Sequence, residues 1–170
     1  LNFGTGSYNS NTNEYFDATI GRISRYTATQ SSNFTQVDYS TRKVLFGETA
    51  NDGFPNLHQS HGTGHLVFGT DGTLLASLGD GASYSSVDQG SASETYWQQA
   101  IDDGIISSAE NIGAYRSQLL DNYAGKILRI DPETGAGIPS NPYYQSANPS
   151  SRRSKVWARG LRNPCRFSKK

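Results

Sequence analysis

Two short apolar runs joined by an Asp-Gly pair constrain the fold more than any other feature of this chain. The segment reads GHLVFGTDGTLLASLG and covers residues 64–79. Asp-Gly supplies the positive φ of a tight β-turn, and the flanking residues are typical of strands. The segment therefore predicts an antiparallel hairpin. Because a hairpin returns the chain to its starting end, the residues just before and just after it should meet at one rim.

The rest of the chain predicts further short strands separated by long polar excursions. We expect strands over residues 20–27, from Lys43, over 126–131 and over 154–160, with a polar connection over 27–42. One short helix is predicted in the insert after residue 90. Ser91 and Glu94 have the spacing of a capping box at its start, and Gly104 is placed to end it.

Composition and strand spacing indicate an all-β protein. Hydrophobic residues make up 34%, and 18 glycines and 10 tyrosines favour short strands and turns over long helices. The strands are spaced at about four per unit of roughly 40 to 50 residues, and this spacing is more typical of a β-propeller than of a sandwich. The 170 residues then amount to about three to four blades. We expect one partial propeller domain over residues 1–170, a fragment incomplete at both ends.

Charge and cysteine content exclude several classes of function. Lys and Arg number 15 and are balanced by 15 Asp and Glu, so the chain lacks the basic surface that nucleic acid or an anionic membrane requires. No apolar window of about 18 residues predicts a membrane span, and no basic-then-apolar leader opens the chain, so we expect no intact signal peptide, which leaves open a leader already removed. The single Cys165 has no partner for an intramolecular disulfide, and we predict a small apolar filler in a strand.

Three histidines stand at one end of the predicted hairpin: His58, His61 and His65. His61 lies where a loop enters the first strand, at the predicted rim. It is either a polar loop residue or a group placed for chemistry. A zinc site on a helix is disfavoured, because Pro55 and the neighbouring glycines oppose the helix that such spacing needs.

Asp80 follows the partner strand in SLGDGA and should emerge beside His61. A carboxylate bonded to an imidazole fixes its tautomer and raises its basicity, as a general base requires. The alternative is that Asp80 only shapes a Gly-flanked turn. Arg162 and Asn163 fall in the proline-bounded turn of GLRNPCRF. Arginine offers a planar donor fork to carboxylate or quinone oxygens, although such a turn can also be purely structural.

Three separated segments resemble one family when they are read in order. HGTGHLVFGTDGTLLASLGDG, YAGKILRIDPETGAGIPSNP and SKVWARGLRNPCRF resemble the glucose/sorbosone dehydrogenase family, the soluble aldose dehydrogenases that use pyrroloquinoline quinone. The resemblance implies a six-bladed propeller that holds the quinone at the centre of its top face. It implies that His61 is the general base on the sugar C1 hydroxyl, with Asp80 orienting it.

The same resemblance implies that Arg162 and Asn163 contact the quinone together with His61, and that Arg162 stabilises the reduced cofactor. Calcium is implied as well, with ligands mostly outside this chain, so no metal ligand is assigned here. His58 and His65 match no role in the family. The turn reads GTDG where GPDG is usual, and Cys165 stands where an aromatic residue often follows RNP.

The implied partners are an aldose and an external electron acceptor, in a secreted or periplasmic bacterial protein. We expect the chain alone to be inactive and prone to self-association, because a partial propeller exposes blade faces and strand edges. One alternative is a non-catalytic propeller of the same fold that binds protein or carbohydrate. Another is an adhesive module with calcium in the loops of Asp71, Asp80 and Asp88.

Overall fold

A computed structural model describes residues 16–168 of the chain. The opening LNFGTG segment and the final Lys169 and Lys170, which belong to the predicted 1–170 domain, lie outside the described residues. The strands are β1 (Thr19–Gly21), β2 (Ile23–Ala28), β3 (Val37–Phe46), β4 (Phe54–Asn56), β5 (Thr63–Phe68), β6 (Leu74–Leu78), β7 (Lys126–Ile130) and β8 (Val156–Arg159). The helices are α1 (Trp97–Asp102) and α2 (Arg152–Lys155), with 3₁₀ turns at Gln30–Ser32, Ala50–Asp52, Ser108–Glu110 and Gly113–Gln118.

The predicted hairpin forms the first two strands of a four-stranded sheet, with β5 at its edge. Strands β5, β6, β7 and β8 are neighbours in chain order and all pairs are antiparallel, which is the form of a propeller blade. The turn between β5 and β6 contains Gly72 at φ 78°, as the Asp-Gly pair predicts. All five residues of β6 are buried, whereas β5 is largely exposed. The hairpin prediction is therefore confirmed.

Two smaller sheets precede this one, and they correct the predictions for residues 20–48. The predicted single strand is broken at Arg22 into β1, which pairs with β4, and β2, which pairs with β3. Strand β3 begins at Val37 and not at Lys43, so residues 37–42 of the predicted polar connection are strand. Most side chains of its first six residues are exposed. A ribbon open to water on both faces has no hydrophobic alternation to reveal it.

The predicted helix exists, but its predicted cap does not. Helix α1 begins at Trp97, and Gly104 at φ 67° follows its end as expected. Ser91 has φ 57°, which is not the extended conformation of an N-cap, and Glu94 accepts hydrogen bonds from Ser83 and Ser86 instead. Helix α2 is a second short helix. It includes residues 154 and 155, which were predicted as strand, and β8 starts only at Val156.

Two buried clusters hold the sheets together. The larger one packs the four-stranded sheet against β2, β3 and β4, and the ring centroids of Phe46 and Tyr123 lie 5.1 Å apart within it. The smaller one joins Ile20 and Leu57 to the segment around α1. Each fully buried large apolar side chain contributes about 1.5 to 3 kcal/mol. The loops at the sheet edge are therefore anchored on a real core.

The architecture is all-β with antiparallel sheets and few helices, as predicted. The described residues contain one four-stranded sheet and two two-stranded sheets, although the chain length suggested three to four blades. The long connections over residues 79–125 and 131–151 add no strand to these sheets, which is why the described residues contain fewer strands than the chain length suggests. Within residues 16–168 no helix has the length and apolar character of a membrane span.

Candidate active site

One edge of the four-stranded sheet gathers four separate segments of the chain. Because neighbouring strands are antiparallel, β5 and β7 begin at this edge, where β6 and β8 end. Backbone hydrogen bonds join the segments beyond the strands. Asp80 N–H donates to the Arg162 carbonyl (N to O, 2.8 Å), Gly125 N–H to Gly79 (2.6 Å) and Leu161 N–H to Gly125 (3.1 Å). The turns that contain Asp80 and Arg162 are thus fixed side by side.

His61 and Asp80 meet at this edge, as the hairpin predicts. His61 Nδ1 lies 2.9 Å from Asp80 Oδ1, and the two side chains are 9% and 2% exposed. An ionised carboxylate only accepts hydrogen bonds, so Nδ1 is the donor, and in the neutral imidazole the lone pair is then on Nε2. Nε2 makes no hydrogen bond with the described residues. The same Oδ1 accepts the Ala82 N–H at 3.0 Å, which holds the carboxylate in place.

The backbone at His61 is in the left-handed region, with φ 58°. This conformation costs about 1 to 3 kcal/mol for a residue with a Cβ, so the surroundings must hold it. Gly81 N–H donates to the His61 carbonyl at 3.2 Å, and Gly79 packs directly on the same peptide group. A Cβ on Gly79 would lie 2.5 Å from the carbonyl carbon of His61. Glycine at position 79 therefore allows the histidine backbone to approach.

Arg162 and Asn163 present polar groups at the same edge. Arg162 Nη1 lies 3.7 Å from Asp80 Oδ2, and Nη2 donates to the Ser83 carbonyl at 3.2 Å, while the side chain stays 53% exposed. Asn163 is exposed, and its side chain makes no hydrogen bond with the described residues. The prediction for Cys165 is wrong: the residue is exposed and lies outside any strand, because the chain after Pro164 stays in an open turn.

The other two histidines have separate partners. His58 is 8% exposed, and its ring packs edge-to-face on Tyr84 with centroids 5.0 Å apart. Burial lowers the pKa of His58, which favours its neutral form. His65 Nδ1 lies 3.2 Å from the Phe167 carbonyl oxygen. Within residues 16–168 no group of three or more His, Cys, Asp or Glu side chains is arranged to hold a metal.

Two buried basic side chains behind the Asp80 turn could not be predicted from the sequence. Arg116 is 1% exposed, and its Nη2 lies 3.5 Å from the Asp80 carbonyl oxygen and 3.3 Å from that of Gly81. Lys126 is fully buried, and its Nζ donates to the carbonyls of Ser117 and Ala124 at 2.8 and 2.5 Å. Burial lowers the pKa of Lys126 to about 7. No sequence signal marks either one, since Arg and Lys are usually exposed.

The donors at this edge suit an anionic, oxygen-rich ligand such as a quinone with carboxylate groups. The half-exposed guanidinium of Arg162 offers a planar donor fork, and the unpaired amide of Asn163 adds a donor and an acceptor. The described residues supply no calcium site of their own. The arrangement therefore combines a histidine that is hydrogen-bonded to a carboxylate with a half-exposed guanidinium next to it.

Comparison with known proteins agrees with this architecture. Residues 7–168, which include all the site residues described above, match the family described as Glucose / Sorbosone dehydrogenase. Hedgehog-interacting protein of Mus musculus is 32% identical over 153 residues, covering 86% of this chain and 17% of the relative. Hedgehog-interacting protein of Homo sapiens gives the same figures, 32% over 153 residues, 86% and 17%. The chain spans 17% of the length of these curated relatives.

Proposed function

The chain belongs to the glucose/sorbosone dehydrogenase family, and we propose that the protein containing it oxidises the C1 hydroxyl of aldoses to lactones. The observation that carries this proposal is the 2.9 Å contact between His61 Nδ1 and Asp80 Oδ1, with Nε2 left without a partner among the described residues. Oxidation of a hydroxyl group needs a base for its proton and an acceptor for the two electrons. Pyrroloquinoline quinone, the cofactor that the sequence resemblance implies, would accept the hydride that leaves C1.

The chain's own residues would handle the proton. Nε2 of His61 takes the proton of the C1 hydroxyl, while Nδ1–H stays bonded to Asp80. The carboxylate stabilises the imidazolium that forms and keeps the ring in one orientation. Because both side chains are largely buried, this stabilisation acts in a low dielectric. General-base catalysis of this kind contributes about 10²- to 10⁴-fold in rate.

Arg162 and Asn163 would hold the quinone next to this base. The positive charge of Arg162 would stabilise negative charge on a reduced quinone, and Asn163 would orient the quinone through a directed hydrogen bond. Calcium, an external electron acceptor and a secreted or periplasmic location complete the proposal. They are supported by the family resemblance and not by contacts in the described residues.

Replacement of His61 tests the proposal. In the full-length natural protein supplied with the quinone and calcium, His61→Ala should lower dye-linked aldose oxidation by about 10²- to 10⁴-fold. Quinone binding, followed by absorbance titration, should remain. His65→Ala is the matched control and should keep full turnover, because His65 contacts Phe167 and not Asp80. Sugar oxidation that survives in His61→Ala would contradict the assignment of the base.

A second candidate function is protein binding without catalysis. It is favoured by the 32% identity to Hedgehog-interacting protein, whose name describes a protein that interacts with hedgehog. On this alternative His61 and Asp80 would be structural, and wild-type protein with quinone and calcium would oxidise no aldose. The wild-type assay in the experiment above therefore separates the two candidates.

A further inference from the structure

The loop after Asp80 displays an exposed aromatic ring beside the candidate site. Tyr84 is 62% exposed and stands four residues after Asp80. The carbonyl of the preceding residue, Ser83, accepts a hydrogen bond from Arg162 Nη2 at 3.2 Å, and Nη1 of the same guanidinium lies 3.7 Å from Asp80 Oδ2. A single guanidinium thus spans from the Asp80 carboxylate to the residue next to Tyr84.

The ring itself is fixed from the other side by the histidine segment. Its centroid lies 5.0 Å from that of His58, and the two planes are 78° apart, which is a favourable edge-to-face arrangement. His58 is buried three residues before His61, and its Nδ1 lies 3.2 Å from Ser60 Oγ. Tyr84 is therefore bounded by Arg162 through Ser83 and by the segment that leads into His61.

The loop under Tyr84 is ordered by its own hydrogen bonds. Ser83 N–H donates to Asp88 Oδ2 at 3.2 Å, and Ser85 N–H donates to Ser83 Oγ at 3.0 Å. The hydroxyls of Ser83 and Ser86 donate to Glu94, and these bonds lower the pKa of Glu94 to about 2, so its charge persists at physiological pH. A ring displayed on a fixed loop binds a ligand with little loss of conformational entropy.

The position of Tyr84 between Ser83 and His58 suggests a role for its exposed ring. It also suggests a role for the buried His58, which takes no part in the proposed chemistry. Sugars combine hydroxyl groups with apolar C–H faces, and an aromatic ring covers such a face while polar groups next to it hold the hydroxyls. We propose that Tyr84, backed by His58, is a sugar-binding residue that packs on the aldose ring while His61 acts on its C1 hydroxyl. This inference rests on the proposed aldose oxidation and names a residue that determines substrate affinity.

Three variants of the full-length natural protein test it. Tyr84→Ala should raise KM for the aldose about tenfold, equivalent to about 1.4 kcal/mol, with kcat within about twofold of wild type. Tyr84→Phe keeps the ring and should bind like wild type. Tyr39→Ala is the matched control, because Tyr39 is 77% exposed but packs against Tyr26 on the separate sheet of β2 and β3.

Saturation-transfer NMR with glucose, without quinone or turnover, gives a second measurement. Transfer to the sugar C–H protons should be present in wild type and Tyr84→Phe and should fall in Tyr84→Ala. Glucose binding lost in Tyr84→Ala while wild type shows no oxidation would support the sugar-binding residue and contradict only the catalytic proposal. If Tyr84→Ala has the same KM and the same saturation transfer to glucose as Tyr39→Ala, the inference is overturned. A wild type that neither binds nor oxidises glucose would overturn both.

Discussion

Gly79 is the residue at which a single added methyl group should disturb the candidate site most. It follows β6 directly, and a Cβ built on it would lie 2.5 Å from the carbonyl carbon and 2.9 Å from the Cα of His61, with the carbonyl oxygen closer still. Ordinary Cβ contacts begin at 3.4 Å. The atoms in the way are backbone, so no rotamer change can relieve the overlap. Gly79→Ala therefore requires about 1 Å of backbone movement at His61.

The cost can be worked from the contacts that this movement breaks. Overpacking in a closely packed region costs about 1 to 3 kcal/mol. The hydrogen bonds from Gly79 N–H to Gly62 O (3.0 Å) and from Gly81 N–H to His61 O (3.2 Å) lie next to this overlap, and each contributes about 1 kcal/mol. The free energy of unfolding should fall by about 3 to 5 kcal/mol. His61 Nδ1 should also lose its 2.9 Å contact with Asp80.

Urea denaturation of wild type, Gly79→Ala and Gly62→Ala measures the difference. Gly62 lies in the same turn, but a Cβ there would meet only Asn56 Oδ1, at 3.6 Å, and its φ is not positive. Gly62→Ala should therefore stay within about 1 kcal/mol of wild type. Equal stability of the two alanine variants would refute the argument that close approach of the His61 backbone selects glycine at position 79.

Two further predictions concern the buried lysine and the isolated chain. Burial lowers the pKa of Lys126 in the folded protein to about 7, from 10.5. Between these two values the unfolded state binds more protons than the folded state, so the free energy of unfolding should rise with pH. This group alone contributes about 1.4 kcal/mol per pH unit. Lys126→Met should remove that rise in denaturation curves measured from pH 7 to 10, and an unchanged slope would show that Lys126 does not titrate in this range. The isolated 170-residue chain should self-associate, because Phe68, Leu66 and Trp157 are 65%, 47% and 43% exposed, and it should oxidise no aldose even with quinone and calcium. Sedimentation that shows only monomers at micromolar concentration, or dye reduction above a blank, would contradict these expectations.

The parts of the fold that could be predicted are those whose signal is local. The Asp-Gly turn specifies the hairpin of β5 and β6, and Gly104 ends α1, because positive φ is a property of a single residue. The contact between His61 and Asp80 follows from the hairpin alone, since its two strands must end at the same edge. Their catalytic roles remain predictions.

The parts that could not be predicted depend on tertiary context. Strand β3 extends back to Val37 because its backbone pairs with β2, although most side chains of its first six residues are exposed and show no alternation. Glu94 has the spacing of a capping residue, but serine hydroxyls across the loop compete for its carboxylate. From the sequence, Arg116 and Lys126 are expected at the surface. In the structure they are buried, because the segment between β6 and β7 folds over the sheet and supplies carbonyl acceptors for them.

The long excursion between β6 and β7 is compatible with a fixed site because of where it begins and ends. β6 and β7 are antiparallel neighbours with regular register from Leu74 opposite Ile130 to Leu78 opposite Lys126. The excursion therefore leaves and returns at one edge, and the hydrogen bond from Gly125 to Gly79 closes it. Lengthening such a loop costs little, since closure entropy grows only with the logarithm of length. The loop that carries Tyr84 and Arg116 can thus change in sequence and length. The sheet register still keeps the His61 and Asp80 segments together, so we expect changes in this loop to alter ligand preference.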